Sequence, residues 1–108
     1  YFGQYNNIRA AGSIIKIGSN CLIAQFVTIV GSNHGINKSE LIVEQEYDQS
    51  KLGVVIEDDV WIGANSTVLP GARIGQGVVV GAGSVVKGDL EPYGIYAGVP
   101  AKLLKYRV

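Results

Sequence analysis

Aliphatic residues recur every sixth position along much of this 108-residue chain. Ile56, Ile62, Val68, Ile74, Val80 and Val86 follow one another at that interval without a gap. Four places beyond each stand Val60, Ser66, Ala72, Val78, Ser84 and Leu90, which are mostly small or β-branched. Gly63, Gly75 and Gly81 directly follow three of the lead residues, and an earlier phase repeats the theme with Ile17, Ile23 and Ile29. A period of six matches neither the 3.6 of an amphipathic helix nor the 2 of a long strand. It matches a short strand plus a turn, repeated. Three such units close a triangular coil of about 18 residues, the hexapeptide β-helix. Gly and Pro recur too often between Ile56 and Glu91 for a stable helix. The expected fold is therefore all-β: a single-stranded parallel β-helix with lead residues pointing inward and coils stacked about 4.8 Å apart. The glycines after the lead residues are expected to supply turn angles closed to other residues.

On this phase Ile17 to His34 forms one coil, Ile56 to Arg73 a second and Ile74 to Glu91 a third. Residues before Ile17 keep a rough pattern and are expected to form an incomplete first coil. Solenoid ends need covering, so an upstream segment or a partner is expected over the first coil. Residues 1–108 read as one domain, with a loop insertion at about 35–53 and a C-terminal tail at about 100–108. In that tail Ala101–Lys105 suits either a short helix or a strand turning back over the final coil.

Composition narrows the function. Apolar residues make up 47% and charged residues 17%, a folding composition. A formal net charge of zero lacks the basic excess of nucleic-acid or membrane-surface binders. No apolar run approaches the roughly 20 residues of a membrane span, and no signal-type segment opens the chain. The expected compartment is the cytoplasm. Cys21 is the one cysteine and His34 the one histidine, so neither a disulfide framework nor a metal site is expected. Cys21 occupies a small inward position and reads as core rather than as a nucleophile.

His34 stands at the mouth of the polar insert, where a coil ends. A lone histidine is most often an ordinary surface group. At the edge of a rigid scaffold, beside an excursion of nearly twenty residues, a neutral imidazole suits a general base.

Several segments together resemble the hexapeptide-repeat acyltransferase superfamily, and within it the sugar O-acetyltransferases of the galactoside, maltose, capsule and lipopolysaccharide types. They are Ile17-Gly18-Ser19-Asn20, Val27-Thr28-Ile29 leading to Asn33-His34-Gly35, Val60-Trp61-Ile62-Gly63-Ala64 and Leu69-Pro70-Gly71, with Gly81-Ala82-Gly83-Ser84 and Gly98-Val99-Pro100-Ala101-Lys102. The resemblance implies a left-handed coil, an exception to the right-handed crossover rule. It also implies a homotrimer with active sites between subunits, acetyl-coenzyme A as acyl donor, no metal, and a saccharide or other small hydroxyl acceptor. His34 falls on the catalytic base, and Glu44 on the loop carboxylate that orients it, with Glu46 the competitor. The coenzyme groove falls on Trp61, Ala64 and Ala82, on Lys87-Gly88 where the family carries Thr-Lys, and on the basic residues Lys102 and Lys105. An acceptor-binding asparagine corresponds to Asn6, two residues beyond the gapless match at Gln4. Direct acetyl transfer in a ternary complex is the implied chemistry. The alternatives are an amino-sugar N-acetyltransferase and a noncatalytic β-solenoid. The related three-histidine carbonic anhydrase is excluded by the single histidine.

Overall fold

The computed structural model describes residues 1–108. Thirteen short strands form three sheets of four, four and five strands, and every pairing between coils is parallel. Sheet I stacks β3 (Leu22–Ile23), β6 (Trp61–Ile62), β9 (Val79–Val80) and β12 (Gly94–Gly98). Sheet II stacks β1 (Asn7–Arg9), β4 (Thr28–Val30), β7 (Thr67–Val68) and β10 (Val85–Val86). Sheet III stacks β2 (Ile15–Ile17), β5 (Val54–Ile56), β8 (Arg73–Ile74) and β11 (Asp89–Leu90). The chain visits the sheets in the cycle I, II, III, so each coil is one turn of a three-sided parallel β-helix. The result is a prism 50 Å long and 26 by 20 Å across.

The lead residues meet in register: Ile17 with Ile56 with Ile74, Ile23 with Ile62 with Val80, and Ile29 with Val68 with Val86. From Ile23 onward each is at most 1% exposed. The small inward positions Val60, Ser66, Ala72, Val78 and Ser84 are equally closed. Like residues stack on like, so each coil buries its apolar face only against its neighbours. The first coil is complete in outline: Phe2 bridges to Ile23, β1 pairs with β4 and β2 with β5. Its inward Phe2 and Ile8 stay 51% and 40% exposed because nothing in the chain stacks on their outer side. Cys21 is buried, with its thiol donating to the Glu57 carbonyl at 3.2 Å.

The lead-following glycines act differently from the expectation. Gly18, Gly63, Gly75 and Gly81 keep ordinary negative-φ backbone; the left-handed residues of the regular turns include Asn20, Phe26, Asp59, Asn65, Gly71, Gly77 and Gly83, each three places after a lead residue. What Gly63 supplies is clearance. A Cβ there would lie 2.6 Å from the Ala82 nitrogen of the next coil, and one at Gly75 2.8 Å from the Leu90 carbonyl. Coils held at strand spacing leave no room for a methyl at that edge.

Beyond the fourth coil β12 continues into β13 (Ala101–Tyr106), which runs antiparallel to it and extends sheet I. The tail is thus a returning strand. Arg107 fastens it, donating to the Asp59 carboxylate and the Gly77 carbonyl, both at 3.0 Å, with its guanidinium over the Tyr93 ring.

Candidate active site

The repeat breaks between β4 and β5, on the edge between sheets II and III. Two short ladders close the base of the excursion. Gly53 donates to the Gly31 carbonyl at 2.7 Å, while Asp48 donates to Asn33 at 2.8 Å and Gly35 to Glu46 at 3.0 Å. The second ladder frames an antiparallel bridge of His34 with Tyr47. His34 is therefore held by backbone on both sides while its side chain stays exposed. Its ring faces that of Tyr47, 5.4 Å between centroids and tilted by 43°.

Glu44 lies in a single 3-10 turn, Ile42–Glu44, and is exposed, as is Glu46. The one ion pair in the chain joins Arg107 to Asp59, so neither glutamate pairs with His34 within the chain. Gln45 organises this loop and was legible only as a neighbour of Glu44. Its amide donates to the Asn37 and Glu40 carbonyls, at 2.9 and 3.1 Å, and accepts from the Asn37 N–H at 2.9 Å. Nearby, two hydrogen bonds from Ser50 hold the Asp48 carboxyl below its ordinary pKa, with Lys51 adding a smaller pull.

Ala64 and Ala82 stack on a different edge, between sheets I and II. Gly83 donates to the Ala64 carbonyl at 2.8 Å, but the N–H groups of Ala64 and Ala82 themselves meet no acceptor in the chain. Both residues reach the surface, so these two donors are open to an incoming carbonyl. Along the same edge Gly81 faces Ala97, which pairs with Lys102 on β13. Lys105 lies further along β13, opposite Ile95. Trp61 is half exposed on the outer face of sheet I, where Asn20, Leu22, Asp59, Val60, Val79 and Arg107 complete a groove of about 360 Å³.

Lys87 and Gly88 follow β10 on the II–III edge, the edge of His34 and not that of Ala64 and Ala82. Both ends of the Asn6 amide are held by backbone: it donates to Gly3 at 3.1 Å and accepts from Val27 at 2.9 Å. Within one chain, then, the imidazole and the open amide pair stand on separate edges of the prism. No helix is long and apolar enough to cross a membrane.

This coil and these segments have known counterparts. Residues 53–88 match the family model described as bacterial transferase hexapeptide (six repeats). The chain is 45% identical over 97 residues to WbbJ of Escherichia coli K12, named as an O-acetyl transferase of lipopolysaccharide biosynthesis; the match covers 84% of this chain and 50% of that protein. It is 30% identical over 105 residues to the galactoside O-acetyltransferase of the same organism, covering 97% of this chain and 50% of that one. Among solved structures, a hexapeptide-repeat acetyltransferase of Vibrio cholerae complexed with acetyl-coenzyme A superposes with a TM-score of 0.81 at 31% identity, over 97% of this chain and 58% of that one. Residues 53–88 thus carry the bacterial transferase hexapeptide repeat, and the chain is similar along most of its length to proteins built on that repeat. These include proteins named as O-acetyltransferases, and the chain spans about half the length of the curated relatives it matches.

Proposed function

We propose that this chain is the β-helical part of an acetyl-coenzyme A-dependent O-acetyltransferase acting on a saccharide hydroxyl in the cytoplasm, with a left-handed coil and a homotrimeric assembly. The observation that carries the reading is the pair of unpartnered N–H groups at Ala64 and Ala82, on a coil of the kind that holds acetyl-coenzyme A in the Vibrio cholerae relative. A pantetheine arm offers amide carbonyls, and two fixed donors on one edge suit them. Lys102 and Lys105, beyond that edge, suit the nucleotide phosphates as point charges. Trp61 walls the thioester end, and Lys87-Gly88 lines the groove on the neighbouring edge.

The separation of His34 from this amide pair supports a site built by two copies of the chain. One copy would present the donor edge, and its neighbour would present the imidazole. His34 takes the proton from the acceptor hydroxyl as its oxygen attacks the thioester carbonyl. The tetrahedral oxyanion collapses, the carbon–sulfur bond breaks, and the imidazolium returns its proton to the departing thiolate. A backbone N–H aimed at that oxyanion contributes roughly 3 kcal/mol. Glu44, or its competitor Glu46, orients the ring once the site is assembled, and Asn6 lies on the acceptor side.

Calorimetry of acetyl-coenzyme A with the wild type and with His34→Ala tests the reading. Binding in both, with transfer lost only in the variant, is the expected result. A folded protein that binds no acetyl-coenzyme A refutes it and leaves a noncatalytic solenoid.

A further inference from the structure

A separate groove stands apart from the donor edge. It lies on the outer face of sheet III beside the loop base, has a volume of about 490 Å³, and has Gly12, Ile14, Lys16, Leu52, Val55 and Arg73 in its lining. Three features define what it takes. First, Lys16, Val55 and Arg73 are register partners on β2, β5 and β8, so two cations rise on either side of one valine. Their Cα atoms are about 10 Å apart, two strand spacings, and both side chains are long enough to converge over Val55. Second, neither cation has a partner. Asp89 is the register neighbour of Arg73 on its far side, but the single ion pair of the chain is elsewhere. Lys51 adds a third positive charge at the rim, its Cβ 3.3 Å from the Cβ position of Gly71; Asp48, the acid at that end, is bonded to Ser50. Third, the groove adjoins the imidazole. Tyr47 ring atoms lie 3.3 and 3.4 Å from the Cβ position of Gly12, and the same ring faces His34.

We propose that this groove is an acceptor subsite for an anionic saccharide, in which Lys16 and Arg73 bind a sugar carboxylate or phosphate. The inference rests on the transferase reading above and narrows its acceptor. Exposed Ile14 and Leu52, with Val55, supply an apolar bed for the carbon face of a pyranose ring. The guanidinium of Arg73 suits a planar or tetrahedral oxyanion, and Lys16 adds a point charge. Tyr47 lies beside Gly12 at the end of the groove and faces the base, so a ring seated here lies close to His34.

The test is a titration at low salt of the whole chain with galacturonate, galactose 6-phosphate and galactose, followed by saturation-transfer NMR. Acetyl-coenzyme A affinity is measured on the same samples. At least one acid is expected to bind about tenfold more tightly than galactose, with the preference shrinking as salt is added. Lys16→Gln and Arg73→Gln, both at exposed outward positions, should each remove most of that preference with melting temperature and acetyl-coenzyme A affinity unchanged. Lys38→Gln, a loop cation away from the groove, should leave it intact. Which acid binds separates the carboxylate from the phosphate source. Equal or absent binding of all three sugars overturns the subsite, and so does a preference that survives both substitutions. Competition by inorganic sulfate as strong as by the sugar acid overturns the saccharide assignment. Loss of acetyl-coenzyme A binding with the acid preference intact refutes instead the transferase reading.

Discussion

Gly63 and Gly83 belong to neighbouring coils of the same edge, yet alanine should act at them through different physics. At Gly63 the added methyl meets the Ala82 nitrogen at 2.6 Å, its Cα at 2.9 Å and the Val80 carbonyl at 2.9 Å. All three belong to backbone, so no side chain can rotate away, and the coils must part by about 0.8 Å to restore ordinary contact near 3.4 Å. Overpacking of this kind costs about 1–3 kcal/mol, and rigid neighbours place it at the upper end. Parting the coils also stretches the bonds from Gly63 to Val80 and from Gly83 to Ala64, both 2.8 Å, each contributing about 1 kcal/mol. The lower chain entropy of unfolded alanine returns about 0.4–1 kcal/mol. The expected net loss is about 3 kcal/mol. At Gly83 the methyl meets nothing within 4 Å, and only the positive φ of 73° resists it. That strain costs about 1–2 kcal/mol for an L residue, and the same entropy gain leaves a net loss of about 1 kcal/mol. Thermal unfolding followed by far-ultraviolet circular dichroism, at one fixed protein concentration, should show Gly63→Ala melting about 12–24 °C below the wild type and Gly83→Ala about 4–8 °C below. Equal losses in the two variants, or a Gly63→Ala protein within a few degrees of wild type, would refute the view that these glycines provide clearance between coils.

Ser84→Ala should cost about 1–2 kcal/mol, read from urea midpoints, because its buried hydroxyl donates to Gly81 at 2.7 Å and accepts from Gly98 at 3.1 Å; an unchanged midpoint would mean that both backbone groups find other partners. Arg107→Ala should lower the melting temperature by only a few degrees, since the ion pair with Asp59 is about half exposed and screened by solvent. Tyr106 donates to the Glu91 carboxylate, and that bond raises its pKa above the ordinary 10.0. The folded state therefore holds this proton more tightly than the unfolded one. The stabilisation is complete below about pH 10 and disappears as pH rises through the raised folded value. An absorbance titration at the phenolate band should lose its most alkaline component in Tyr106→Phe. His34→Ala should lower acetyl transfer by about 10²–10⁴-fold while coenzyme binding persists; retained turnover would remove His34 from the chemistry.

The six-residue period was enough to name the inward positions, because inward pointing follows from strand alternation and turn length within each short unit. Ile23, Ile29, Ile56, Ile62, Val68, Ile74, Val80 and Val86 lie inside as the period requires. The break in that period marks an excursion after His34, and of the two forms that Ala101–Lys105 suits, the strand is found. What needed the tertiary structure is whatever depends on which coil lies over which. The role of Gly63 emerges only against Ala82 of the next coil, and the left-handed positions fall two places later than the glycine pattern suggested. Asn6 turned out to be bonded at both ends to backbone of its own edge. His34 and the open amides of Ala64 and Ala82 occupy different edges because three strands and three turns intervene per coil, a relation that a linear motif does not express. Lys16 and Arg73 are distant in sequence, with the whole excursion between them, and stacking alone makes them flank Val55. Local geometry repeats with the sequence and can be read from it. Contacts between coils depend on the sum of all the residues between them, and the insert at His34 changes that sum.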